Sequence, residues 1–155
     1  MIVVSDTTAI TTLLKTGDAD LLAKLFGTVL VPPAVGDELR AFHSILPDFI
    51  EVRALPASPR PAGTERLGRG ESEAMQLALQ TTADWLLLDD RQARVVAKRL
   101  GLKCVALTGL LIKAKHLGHV SSVREFLLRL EQRGGLYLSD AVKAEALLQA
   151  GEQAR

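Results

Sequence analysis

The feature that most limits what this chain can fold into is a short apolar, β-branched run, Ile2-Val3-Val4, leading through Ser5 into Asp6. Such a run is too short for a helix, and its lack of alternation leaves no polar face for water. A strand apolar on both faces belongs in a parallel sheet, whose strands are joined by crossovers that are usually helices. Similar short runs recur at Val29-Leu30-Val31, Phe49-Ile50-Glu51-Val52, Trp85-Leu86-Leu87-Leu88 and Cys104-Val105-Ala106-Leu107.

Helical periods fill the intervals. One helix is predicted from about Thr7 to Gly17 with Ile10, Leu13 and Leu14 on one side, and another after Asp18 that groups Leu21, Leu22 and Leu25 before Gly27. Pro32-Pro33 closes the second strand and opens a helix carrying Val35, Glu38 and Leu39, proline being tolerated in a first turn. Further helices are predicted over 71–81, from Asp90 to Leu100, and near 109–117, 121–133 and 139–150. Strands alternating with amphipathic helices predict an α/β fold, an α/β/α sandwich with a central, mostly parallel sheet. Residues 56–70, with three prolines, three glycines and Arg60, Arg66 and Arg69, form the one long connection; loops of that length in compact domains are usually functional or mobile.

The chain has 155 residues, 48% of them apolar, which suits one domain over 1–150 with 151–155 as a C-terminal tail. Nineteen Lys and Arg against eighteen Asp and Glu leave +1, which excludes a polybasic tail or a highly charged disordered chain. A local basic stripe that binds nucleic acid is still compatible with that total. The single cysteine, Cys104, excludes an internal disulfide and reads as a small core residue; no Cys/His spacing matches a zinc site. The N-terminus lacks a basic leader and carries an acid in its apolar stretch, and no apolar run approaches the ~18 residues of a membrane span, so a cytoplasmic protein is expected.

In parallel α/β sheets the ligand crevice lies outside the carboxyl ends of the strands. Asp6 stands at one such end, and Asp89 and Asp90 at another. Glu38 lies early in the helix after the second strand, and Glu71 opens the helix before the Trp85 strand. Singly, these acids read as caps or surface charge: Asp90 as a helix cap, Glu71 and Glu73 as first-turn acids. Helical spacing separates the last two. From Glu71, positions three, four and seven further on are Ala74, Met75 and Ala78; from Glu73 they are Gln76, Leu77 and Gln80. Glu71 is therefore expected on the buried side, with Glu73 leaning toward solvent.

The helix after Asp90 divides in the same way, with Ala93, Val96, Ala97 and Leu100 as the core stripe and Arg91, Arg94 and Lys98 opposite. With Arg69, that stripe is a candidate for holding a phosphate backbone. Two carboxylates ~5 Å apart repel by about 3 kcal/mol at an effective dielectric near 20. A divalent ion removes that cost, and oxygen-only ligands select Mg²⁺ or Mn²⁺, ions that cleave phosphodiesters by activating water.

Taken together, Val4-Ser5-Asp6-Thr7-Thr8, Val31-Pro32-Pro33-Ala34-Val35 leading to Glu38-Leu39, Gly70-Glu71-Ser72-Glu73-Ala74, Leu87-Leu88-Asp89-Asp90-Arg91-Gln92-Ala93-Arg94 and Leu107-Thr108-Gly109-Leu110-Leu111 carry a family likeness. Over roughly residues 1–148 the chain resembles the PIN-domain family, metal-dependent ribonucleases that include VapC-type toxins of toxin–antitoxin pairs. It is most similar to a less characterised branch with a Gly-Glu-x-Glu-Ala helix and an Asp-Asp-Arg turn. The resemblance implies Asp6, Glu38, Glu71 and Asp90 as catalytic, metal-binding acids, with Asp89 and Glu73 as further candidate ligands of a Mg²⁺ or Mn²⁺ ion. It implies an RNA substrate, an antitoxin protein as partner, a homodimer and no membrane. Two positions depart from the VapC pattern: the third acid is Glu71 where aspartate is usual, although related flap endonucleases use a Glu-x-Glu pair, and Leu88 replaces a Ser or Thr two residues before the fourth acid.

The expected function is a divalent-metal-dependent endoribonuclease, the toxin of a type II pair; the alternative is a catalytically weak PIN-like module that binds nucleic acid or a partner. A phosphoacceptor receiver domain would carry its Asp-Asp pair after the first strand, whereas here the pair follows a later one. There is no Walker loop, and Gly68-Arg69-Gly70 is too short for a dinucleotide fingerprint. His43, His116 and His119 have no paired nucleophile, and Ser121-Ser122 reads as a helix cap.

Overall fold

Val3 and Val4 are both fully buried, yet they enter different cores, because successive side chains of a strand point to opposite faces of its sheet. The computed structural model describes residues 1–152. In chain order the elements are β1 (Val3–Ser5), α1 (Thr7–Thr16), α2 (Asp20–Phe26), β2 (Val29–Val31), α3 (Pro33–Phe42), β3 (Ile50–Val52), α4 (Arg69–Thr81), β4 (Trp85–Leu87), α5 (Arg91–Arg99), β5 (Cys104–Val105), α6 (Leu107–His116), α7 (Val123–Gln132) and α8 (Asp140–Gln149).

All strand pairings are parallel, in the order β3-β2-β1-β4-β5. Val3, Val29, Val31 and Leu87 face a larger core built with α1, α2, α3, α6, α7 and α8. Val4, Leu30, Leu86 and Leu88 face a smaller one built with α4 and α5. Each fully buried Val, Leu, Ile or Met contributes about 1.5–3 kcal/mol, so apolar runs as short as three residues hold a five-stranded sheet between two helical layers. The expected α/β/α sandwich is the observed architecture.

The sheet order places the topological switch between β1 and β4, the neighbours from which the chain departs to opposite faces. Asp6 follows the end of β1, and Asp89 and Asp90 follow the end of β4, so the acids meet at the switch point. Ser5 pairs with Leu87, and the Asp6 N–H donates to the Leu87 carbonyl at 3.1 Å, locking the two strand ends together.

Two of the boundaries that differ from the sequence expectation bear on the site. The last strand stops at Val105 and α6 begins at Leu107, because the Leu107 N–H donates to Asp89 Oδ1 at 2.8 Å and the chain turns into a helix there. Helix α4 begins at Arg69, with the Gly68 N–H donating to Glu71 Oε1 at 3.2 Å. The long connection is tied down. Buried Thr64 accepts from Ser72 Oγ at 3.1 Å, the Ser58 hydroxyl meets the Gln76 amide, and Leu55 and Leu67 pack on the smaller core. Cys104 is a free, half-buried thiol in β5, packed against that core. Of the expected tail 151–155, residues 153–155 lie outside the described residues, and Glu152 is bonded back onto α7. No helix among the described residues is long and apolar enough to cross a membrane.

Candidate functional site

Asp6 is the centre of the site. An apolar strand delivers it directly to the switch point, and it is only 3% exposed. Its Oδ1 is buried without a hydrogen-bond partner. Burial, then the charges of Asp89 and Glu71, push its carboxyl up to about 8, and N–H groups of Ala9 and Asp89 offset only part of this. An aspartate in that position is strained as an anion and has an oxygen in reserve for a cation.

Glu71, half-buried, lies beside it. As the third residue of α4 its Oε1 is fixed by the Gly68 N–H, an arrangement in which the helix dipole favours negative charge. Burial raises its carboxyl, the Gly68 bond counters that, and the charges of Asp90 and Glu38 raise it again. Glu38 comes from α3, where its Oε2 accepts from Thr7 Oγ1 at 2.6 Å. Gly70 makes room for it: a Cβ there would stand 2.6 Å from Glu38 Oε1. Asp6, Thr7, Thr8, Glu38, Gly68, Gly70 and Glu71 line one open cavity of about 290 Å³.

Asp90 caps α5, its Oδ2 accepting from the Ala93 N–H at 3.1 Å, and its carboxylate also faces Glu71. Asp89 takes the opposite direction. Its Oδ1 holds the N-terminus of α6 and its Oδ2 is buried without a partner. Burial raises its carboxyl, and the Leu107 N–H and the Arg94 charge pull it back. The four acids singled out from the sequence are thus linked through Asp6 and Glu71, which each feel the next carboxylate.

Other candidates sit elsewhere. Glu73 does not lean toward solvent as its helical spacing suggests. Its side chain is 15% exposed, Oε1 accepts from the Ala34 N–H at 2.9 Å, and Oε2 pairs with Arg69 Nε at 2.8 Å. The reason is that α4 is covered on that side too, with Ser72 buried and Gln76 only 9% exposed. Arg94 is half-buried rather than on a solvated stripe, and it donates to the carbonyls of Leu88 and Asp89 at 3.3 and 2.6 Å. Arg91 and Lys98 are exposed on α5. Leu88, 1% exposed, belongs to the smaller core and brings no hydroxyl to the pocket. Thr7 and Gly70 are the residues of the site that sequence reasoning did not single out. Their only signals were a hydroxyl next to the first acid and a glycine in a first turn.

The donor set suits a hard divalent cation: all oxygen, several carboxylates, and one buried carboxylate oxygen with no other partner. Among the described residues no three His, Cys, Asp or Glu side chains converge as a ready-made ligand cluster, so the acids share a wall rather than a point.

A family model, DUF3368, described as a PIN domain, matches residues 2–152. Among solved structures, a PilT N-terminus domain protein from the hyperthermophilic archaeon Sulfolobus solfataricus P2 is similar, with a TM-score of 0.57 at 24% identity over 74% of this chain and 93% of that one. At that identity the likeness speaks to the fold. None of the curated proteins compared with the chain matches it.

Proposed function

Because the chain belongs to the PIN-domain family, we propose that it is a divalent-metal-dependent endoribonuclease and that Asp6, Glu38, Glu71 and Asp90 hold a Mg²⁺ or Mn²⁺ ion. The observation that carries this reading is Asp6 Oδ1, buried and unpartnered at the switch point beside other acids. Such an ion would supply an activated water and charge stabilisation at the leaving oxygen of a phosphodiester. The chain's own groups prepare the site. The Gly68 N–H fixes Glu71, and Thr7 orients Glu38. Asp90 stays close to Glu71 because it is also the cap of α5. The open cavity admits a phosphate, and exposed Arg91 and Lys98 offer charge to the flanking backbone. Arg69 and Arg94 already serve Glu73 and the strand-end carbonyls, which makes them supports of the acid wall.

The same reading makes single-stranded RNA the substrate, a toxin–antitoxin pair the setting, an antitoxin protein the neutralising partner, a homodimer the working form and the cytoplasm the place of action. Cleavage of a labelled single-stranded RNA in Mn²⁺ or Mg²⁺, stopped by EDTA and restored by excess metal, is the expected result. Cleavage indifferent to EDTA contradicts it. A second reading, a catalytically weak module that binds RNA, is favoured by Leu88, whose burial leaves the site without the hydroxyl of VapC-type toxins. RNA bound but left intact in Mn²⁺ would select it.

A further inference from the structure

Beyond the end of α7, Gly134 and Gly135 turn the chain back across the molecule. A Cβ on Gly134 would lie 2.7 Å from the Leu130 carbonyl oxygen and 2.8 Å from Thr12 Cγ2, so the turn fits tightly against α1 and α7. Burial alternates along the segment that follows. Leu136 and Leu138 pack on the larger core, which turns Tyr137 outward to 87% exposure. Tyr137 is one of the residues that line a cavity of about 210 Å³, with Asp89, Arg94, Leu107, Thr108 and Val142 also in its walls. Asp89 joins this cavity to the acid wall: it follows the end of β4 beside Asp6, and its charge bears on Asp6 more than that of any other acid. None of Asp6, Glu38, Glu71 and Asp90 lines it.

We propose that this cavity is a nucleobase subsite, in which a single-stranded RNA running through the acid wall stacks one base on the Tyr137 ring. The inference rests on the nuclease reading and adds to it a group that grips the substrate. Tyr137 has the properties of a stacking platform. Its ring is open to solvent, its two neighbours are anchored in the core, and a tight glycine turn fixes the segment. Base–aromatic stacking tolerates any base because every base has a π-face, and it requires an unpaired strand because duplex bases are already stacked. Thr108 and Arg94 are polar residues in the cavity lining, suited to a base edge or ribose, and the Arg94 charge offsets that of Asp89.

The test is the affinity of a fluorescently labelled single-stranded RNA in EDTA, read by anisotropy, for the wild type, Tyr137→Ala and Tyr137→Phe. Cleavage by the same proteins in Mn²⁺ is measured in parallel. Stacking is worth ~1–3 kcal/mol per base, so Tyr137→Ala should bind about fivefold or more weakly, while Tyr137→Phe stays within about twofold of wild type. Because the ring is exposed, both variants should melt like the wild type. If Tyr137→Ala binds like wild type while wild type cleaves RNA, the subsite is wrong and the nuclease stands. A loss as large in Tyr137→Phe as in Tyr137→Ala overturns stacking in favour of the hydroxyl. A wild type that neither binds nor cleaves single-stranded RNA overturns both readings. Retained RNA binding by Tyr137→Ala together with loss of a co-purifying protein would make the ring a protein contact and overturn the base subsite.

Discussion

Glu73 of α4 caps a different helix: its Oε1 accepts the Ala34 N–H at 2.9 Å, in the first turn of α3. The residue at the cap position there is Pro32, which has no side-chain acceptor, so the carboxylate from the neighbouring helix takes its place. The lost cap predicts that Glu73→Ala destabilises the protein by about 1 kcal/mol, a fall in Tm of about 2–4 °C. Its Mn²⁺ affinity should stay near wild type. Glu71→Gln should do the reverse, weakening Mn²⁺ binding with a smaller change in Tm. Calorimetric titration and thermal melts on the two variants decide this. A Glu73→Ala protein with wild-type Tm and lost Mn²⁺ binding would show that the roles are exchanged.

Asp6 gives the metal-free protein a pH dependence of definite sign. Its carboxyl ionises near 4 when unfolded and near 8 in the fold, mainly because it is buried and secondarily because of Asp89 and Glu71. The fold holds the proton more tightly, so the stability this group contributes is complete below about pH 4 and is lost progressively as pH rises to about 8. Asp6→Asn cannot ionise and escapes that loss. In EDTA, the Tm of Asp6→Asn relative to wild type should therefore increase between pH 5 and pH 8.5. A constant difference across that range would mean that Asp6 is not held as an acid in the fold.

Gly70 tests the position of Glu38 independently of stability. Glycine is unfavourable in a helix relative to alanine by roughly 0.5–1 kcal/mol, so Gly70→Ala should leave Tm unchanged or raise it. The new methyl, however, would stand 2.6 Å from Glu38 Oε1 and must displace that carboxylate. Reduced Mn²⁺ affinity at undiminished Tm is the expected outcome. Unchanged affinity would place Glu38 outside the metal site.

The sheet was readable because its strands are uninterrupted apolar runs, a pattern only a two-sided core satisfies, and its acids because each follows such a run or opens a helix. Glu71 was separable from other acids because Ala74, Met75 and Ala78, all fully buried, share its stripe. Glu73 was misplaced for a tertiary reason. Gln76 on its stripe is covered by the long connection, where it meets Ser58, so polarity did not mark a solvated face there. Arg94 was read as surface charge because nothing local shows that the chain leaves β5 at Val105. That early departure leaves strand-end carbonyls at Leu88 and Asp89 for a guanidinium to satisfy. Thr7 was missed because its partner is 31 residues away.

Glu152 fastens the end of the described chain. Its carboxylate accepts from the Val123 N–H at 2.6 Å and the Arg124 N–H at 3.1 Å, and pairs with Lys115 Nζ at 2.8 Å. Burial alone would raise its carboxyl, but Lys115 and the two N–H groups bring it down to about 2. The contribution is complete above about pH 4.5 and lost as pH falls toward 2. Glu152→Gln should melt lower than wild type at pH 7, and the gap should narrow as pH falls from about 4.5 toward 2. A gap as large at pH 2.5 as at pH 7 would assign the effect to packing rather than charge.

One pocket carries the proposed chemistry, and its sharpest test is the rate of single-stranded RNA cleavage in Mn²⁺ by wild type and Asp6→Asn under identical single-turnover conditions. Metal-dependent cleavage by wild type and a loss of about a hundred- to a thousandfold in Asp6→Asn are expected, of the order seen when a group that stabilises the transition state directly is removed. Cleavage by Asp6→Asn at the wild-type rate would contradict that assignment and place the nuclease activity outside this pocket.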